Sequence, residues 1–405
     1  MLLSPEIIIG QTAGASLERG VTLRFEDLLL VVIGISWFAK NAIHKELGLL
    51  LKTPLNLAIL FYVLACLVST GLGILGGRVS PKTGAFFVLK YIEYFVVFFM
   101  MVNHVKNTDQ IKRFIFCLFL TCLITSIIGI LQIPSGERVS APFEGQTREP
   151  NTFGGYLLFI GAVAAGVLVK VDDKRTKQLL VLLLICIIPP FLFTQSRSSF
   201  LALIPACLVI GSMVRRRVVI IGLILMFFLI SPLFLPTSVK NRILHTFTQP
   251  ERPGQLKVGT LRLDTSTSAR LASWNEVLKD WPRYPLFGYG ITGYKFVDAQ
   301  YPRVLVETGL IGFMTFIYLL YSILKLAIKN IRSGKSTYFR GLGIGFLAGY
   351  TGLLFHSLAA NTFIIVRIME PFWFFVGIIA VLPALEQQSL TQSQVNQSRP
   401  NPAAV

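Results

Sequence analysis

Charge is what this sequence has least of. Only 14% of its 405 residues are Asp, Glu, Lys or Arg, where a soluble domain carries about 25%. The mean hydropathy is +0.66. Together these values exclude an ordinary soluble domain. The ~10-residue alternation of an outer-membrane barrel is also missing. The five cysteines, Cys66, Cys117, Cys122, Cys186 and Cys207, all fall within apolar runs. That excludes a disulfide framework and a CxxC metal site, and leaves them as small apolar core residues.

Long apolar runs are what is there. Eleven of them reach the length of a bilayer-crossing helix, near 27–43, 54–76, 84–104, 112–133, 152–170, 178–194, 198–213, 216–235, 304–328, 340–358 and 362–384. The expected architecture is an all-α polytopic membrane protein with one integral domain over 1–385. The tail 386–405, rich in Gln, Ser, Asn and Pro, reads as disordered.

The net charge of +18 invites a nucleic-acid reading, but its distribution argues against one. Lysine and arginine collect in alternate connections, such as Lys106, Lys112 and Arg113, or Arg215, Arg216 and Arg217. This is the positive-inside pattern of a multi-pass protein, so the excess orients the chain rather than meeting nucleic acid. It puts the tail in the cytoplasm and the connection 236–303 outside. Eleven spans with the tail inside put the N-terminus outside too. The opening Met1-Leu2-Leu3-Ser4-Pro5 reads as the end of a span plus an exit loop, so a further span is expected upstream.

Ionisable residues within spans are functional candidates because they are costly there. Lys90 and Glu93, and Arg367 and Glu370, stand three apart and share a helix face. Arg197 opens a span in Thr194-Gln195-Ser196-Arg197, and His356 closes one. Each pair either glues helices together or lines a polar site. Arg197, His356 and Arg367 are all expected in the outer half of the bilayer, beneath the long connection.

That connection is the longest in the chain. From Lys240 to Arg303 it holds ten basic and five acidic residues. Long loops translocate regardless of charge, so this excess is available to meet an anion, and arginine suits bidentate phosphate contact. Residues 265–281 read as a helix capped near 265–268. Leu271, Trp274, Val277 or Leu278, and Trp281 fall on one side of it, which suits a helix lying along the outer leaflet with Arg270 near its N-terminus. Gly288-x-Gly290-x-x-Gly293 matches a dinucleotide fingerprint in letters only, since no strand or βαβ unit surrounds it. It reads instead as a turn that lets backbone pass close to a ligand or helix.

Four stretches resemble the O-antigen ligase and O-antigen polymerase (Wzy-type) superfamily of membrane glycosyltransferases. They are Thr194-Gln195-Ser196-Arg197; Arg270-x-x-x-Trp274 followed by Pro285-Leu286-Phe287-Gly288-Tyr289-Gly290; Glu307-Thr308-Gly309-Leu310-Ile311-Gly312; and Glu149-Pro150-Asn151-Thr152-Phe153-Gly154-Gly155-Tyr156. The resemblance spans roughly residues 135–375. It implies a lipid-dependent (GT-C-like) fold of about twelve spans in the bacterial inner membrane. It implies a glycan donor on undecaprenyl diphosphate, an acceptor glycan, metal-free transfer at the periplasmic face, and arginines on the diphosphate, carried here by Arg197 and Arg270. Where ligases of the family carry a His-Asn pair, this chain has Asp298-Ala299, which points to the polymerase side.

The chemistry expected on that basis is displacement of a diphosphate by an acceptor hydroxyl. Positive charge is needed where the leaving group develops negative charge, supplied by Arg197 and Arg270 with Arg303 or Arg367. The base is expected at Asp298, then Glu307, then His356. The one Asp-Asp pair, Asp172-Asp173, is cytoplasmic, so neither metal nor cofactor is expected. The expected activity is a polymerase for O-antigen, capsule or exopolysaccharide, alongside a chain-length regulator. A ligase or protein oligosaccharyltransferase is the alternative within this chemistry. A lipid-linked glycan flippase is the alternative outside it, though internal repeats are not evident.

Overall fold

The computed structural model describes residues 52–142, 148–214, 217–234 and 264–398, with short pieces elsewhere, among them 6–10, 21–24, 257–258 and 261–262. The expected span at 27–43 and the loop stretch 245–254 lie mostly or wholly outside the described residues.

Ten of the expected spans fall on helices. They are α1 (Asn56–Leu75), α2 (Pro81–His104), α3 (Thr108–Gln132), α4 (Pro150–Lys170), α5 (Lys174–Phe193), α6 (Arg197–Ser212) and α7 (Arg217–Phe234). After α8 (Thr265–Asp280) in the long connection come α9 (Gln300–Ser333), α10 (Thr337–His356) and α11 (Val366–Ser398). Seven helices among the described residues are long and apolar enough to cross a bilayer, while α6 is shorter. Two small antiparallel hairpins, β1 (Glu6–Gly10) with β2 (Val21–Arg24) and β3 (Lys257–Val258) with β4 (Leu261–Arg262), are the strands described. The chain is an all-α, multi-pass membrane protein.

Helices in lipid gain little from apolar burial against one another, so they associate by close packing. α4 and α10 show how. Gly341, Gly345 and Gly349 recur every four residues and turn one bare stripe of α10 onto α4. A Cβ on Gly345 would stand 2.5 Å from the Val163 carbonyl oxygen, and one on Gly166 would stand 2.2 Å from the Gly345 nitrogen. Behind this seam, Phe159, Phe346, Tyr350, Phe372 and Phe375 are fully buried and ring-packed.

α9 is broken. Gly309 has φ 68° and ψ −170°, far from helical values. A break of this kind strips neighbouring backbone groups of their partners, each costly inside a membrane. The turn Pro285–Gly290 replaces them. The amides of Tyr289 and Gly290 donate to the carbonyls of Val306 (2.9 Å) and Glu307 (2.8 Å). The amides of Leu310 and Ile311 donate to Pro285 (2.8 Å) and Leu286 (3.1 Å). The Ser69 hydroxyl of α1 adds a bond to the Glu307 carbonyl at 2.7 Å. The glycine-rich turn therefore passes close to a helix: a Cβ on Gly288 would lie 2.5 Å from the Glu307 oxygen.

The described helix α11 runs on to Ser398, so it includes residues 386–398 of the tail expected to be disordered. Buried Glu386 accepts from the amides of Lys335 (3.2 Å) and Ser336 (2.9 Å) and so ties the helix to the start of α10. The Gln and Ser residues beyond are tolerated in a helix already held at its base.

Replacing Gly309 with Ala puts a Cβ 2.3 Å from the Leu286 oxygen at a positive φ. Gly309→Ala should destabilise the protein by about 2–4 kcal/mol, read as a lowered unfolding temperature in detergent. An unchanged temperature would show that the break is not sealed this way.

Candidate functional site

The chain direction brings the ends of α3, α5 and α10 and the starts of α4, α6, α9 and α11 to one end of the bundle. Contacts between those ends bear this out. The Arg138 Nε donates to the Thr194 carbonyl at 2.9 Å, and the Gln300 amide donates to the Ser357 carbonyl at 3.1 Å.

At this end α6 starts on Ser196, whose hydroxyl caps the Ser199 amide at 3.4 Å. The preceding Gln195 takes a positive φ of 50°. This tight entry presents Arg197 as the first helical residue. Its Nη2 meets Oδ2 of Asp264 at 2.8 Å, with the aspartate side chain 4% exposed and the arginine 24%. Asp264 is the N-cap of α8. Sequence reasoning placed the cap at 265–268 and passed Asp264 by. Its only local signal was an Asp just before Thr265-Ser266-Thr267.

Arg270 stands further along α8. Its Nη2 contacts Oδ2 of Asp298 at 3.0 Å and its Nη1 donates to the Ser266 hydroxyl at 3.1 Å. Asp298 remains 40% exposed, the most open of the candidate acids. α8 is held by a small apolar cluster of Val277, Val297, Ala299 and Val306, flanked by Trp274, Tyr289 and Tyr294. The Tyr294 hydroxyl donates to Asp280 at 2.7 Å, and burial together with that bond raises its pKa. Val277 thus faces inward, while Leu271 and Leu278 remain exposed.

His356 is fully buried. Its Nε2 lies 3.2 Å from the Ser198 hydroxyl and its Nδ1 2.8 Å from that of Thr362. Ser198 continues to Ser196 at 3.0 Å, and Ser199 donates to Ser196 at 2.8 Å. The Gly154-Gly155 pair explains how α4 fits here. A Cβ on Gly154 would lie 2.4 Å from the Ser199 hydroxyl, and one on Gly155 3.2 Å from the His356 ring. Arg367 is 1% exposed and donates from Nη1 to the Pro142 carbonyl at 2.8 Å. Buried Glu370 stands on the same helix face.

Two candidates group apart from these. Arg303 and Glu307 pair with each other, Nε to Oε1 at 3.2 Å, with side chains 10% and 6% exposed. The Thr292 amide donates to the same Glu307 oxygen at 3.2 Å. Lys90 and Glu93 pair at 3.0 Å within α2. No group of three or more His, Cys, Asp or Glu stands close enough to hold a metal ion among the described residues.

Residues 178–317 match the family model for O-antigen ligase. This stretch of the chain is similar to the O-antigen ligase family. The O-antigen ligase domain covers about a third of the chain, from α5 into α9, and contains Arg197, Asp264, Arg270, Asp298, Arg303 and Glu307. Enzymes of this family are ligases and polymerases of glycosyltransferase type. No curated protein matches the chain.

Removing one partner of a buried ion pair leaves a stranded charge and costs about 3–5 kcal/mol, whereas replacing both by apolar residues is often neutral. Glu307→Ala should therefore lower the unfolding temperature sharply, and the double change Arg303→Met with Glu307→Met should restore most of it. Equal damage in both would remove the pairing as the reason for these residues.

Proposed function

We propose that this protein is a polysaccharide polymerase of the bacterial inner membrane. It transfers a glycan from undecaprenyl diphosphate to an acceptor glycan at the periplasmic face. The observation that supports this reading is that Arg197 and Arg270 are both tied to the N-terminal part of one loop helix, Arg197 through Asp264 and Arg270 as part of that helix, with Asp298 on Arg270. Asp264 and Arg270 are six residues apart on α8, about 9 Å along a helix axis. In this reading a diphosphate meets both guanidinium groups near a helix N-terminus, itself favourable to anions.

In this reading the acceptor oxygen attacks the anomeric carbon. The new glycosidic bond forms as the bond to the diphosphate oxygen breaks, with inversion. The leaving diphosphate keeps the electron pair, and the two arginines stabilise its charge. The acceptor proton passes to Asp298, the most exposed of the candidate acids. Arg270 holds that carboxylate until the diphosphate takes over the guanidinium. His356, buried between Ser198 and Thr362, and Arg303 and Arg367, both buried, support the walls. The family description favours ligation to a different acceptor as the second reading.

Extension of a lipid-linked repeat unit by the purified protein tests the activity, and transfer of one unit to an unrelated acceptor would favour the ligase. Arg270→Ala should abolish long chains while the protein still inserts, with transfer down by about 10²–10³-fold or more. Normal chain lengths would remove Arg270 from the site. Asp298→Asn should be severely impaired, and full activity would move the base elsewhere. Activity should survive EDTA, and its loss would establish a metal requirement.

A further inference from the structure

We propose that Asp264 is a positioning residue for the donor diphosphate, acting through Arg197. The inference rests on the function proposed above and deepens it.

Asp264 occupies an N-cap, where Asp ordinarily bonds the helix's own free amides. Its side chain makes no close capping hydrogen bond, though Thr267 in the first turn also stabilises the carboxylate. The carboxylate's ion pair is with Arg197, on another helix, at 2.8 Å. It is 3% exposed. A carboxylate is costly to bury, and a neutral Ser or Asn would cap the helix as well. Burial pushes the Asp264 carboxyl up, yet Arg197, with Thr267 of the first helical turn, more than offsets this and holds it below the usual range.

The consequence is geometric. A guanidinium carries five donors in a rigid planar fork, so a carboxylate at one end fixes its plane without exhausting it. Arg197 also stays 24% exposed. Arg270 rides on the helix that Asp264 begins and is fixed by Asp298. Asp264 thereby sets the distance and orientation between the two guanidinium groups, which come from different parts of the fold. Catalytic geometry of this kind is sensitive to displacements of about 1 Å.

The test uses the full-length protein with a lipid-diphosphate-linked donor, comparing wild type, Asp264→Asn and Asp264→Glu. Asp264→Asn should raise the KM for the donor about tenfold or more while the acceptor KM holds. Asp264→Glu, which keeps the charge, should recover part of the loss. Inhibition by inorganic diphosphate should weaken in parallel. An unchanged donor KM in Asp264→Asn, with losses confined to stability or kcat, overturns the inference and leaves the transferase reading intact. If wild type transfers no glycan, that reading fails. The inference then stands or falls on the thermal shift produced by inorganic diphosphate. A shift smaller in Asp264→Asn than in wild type supports it, and equal shifts overturn it. If Asp264→Asn does not fold, Asp264→Glu decides the question through the same donor KM.

Discussion

The unpaired backbone of a broken helix is the constraint on which the site end of this protein depends. A helix can break within a membrane only where something else satisfies the freed carbonyls and amides. At Gly309 that role falls to the Pro285–Gly290 turn and to Ser69. The lock is mutual. The turn supplies amides and carbonyls in the register that the break exposes, and glycine at 288 and 309 permits the approach. With the turn fixed, the rest of the connection has little freedom. α8 is pinned on one side by Val277 against Val297, Ala299 and Val306, and the Asp280 carboxylate accepts from Tyr294. The opening of α9, with Asp298 just before it and Arg303 in its first turns, is set by the same contacts.

Electrostatics then follows from this frame. Exposed ion pairs contribute little to stability, and Arg148 with Glu137 and Lys295 with Glu276 are of that kind, whereas the pairs made by Arg197, Arg270 and Arg303 are buried or half-buried. Arg303 and Glu307 satisfy each other within a single helix and sit apart from the loop helix. Arg197 and Arg270 are held by carboxylates from other segments, and each keeps part of its surface open. That difference leaves Arg197 and Arg270 more open than the Arg303–Glu307 pair. The hydroxyl and imidazole chain through Ser196, Ser198, His356 and Thr362 lies behind Arg197 and holds the start of α6 against the end of α10.

Much of this was legible in the sequence. The positions of ten apolar helices follow from run length, because a bilayer fixes how many residues a crossing requires. The loop helix follows from its spacing, and Arg197, Arg270 and Asp298 were visible as charges in unusual places. The polar composition of the tail gave no sign of the bonds by which Glu386 ties its first residues to the start of α10. The stripe of Gly341, Gly345 and Gly349 was present in the sequence, yet its partner on α4 was not.

What the sequence determined by itself is the class of the protein, the placing of its apolar helices and the inventory of charges near one end. These are local properties, set by hydropathy and helical period. What only the tertiary structure decided is partnership: Arg197 with Asp264, Arg270 with Asp298, Arg303 with Glu307, and the glycine turn with the break in α9. Except for Arg303 and Glu307, one helical turn apart, these partners lie far apart along the chain. No periodicity links them, and only the closure of the long connection onto the bundle brings them within bonding distance.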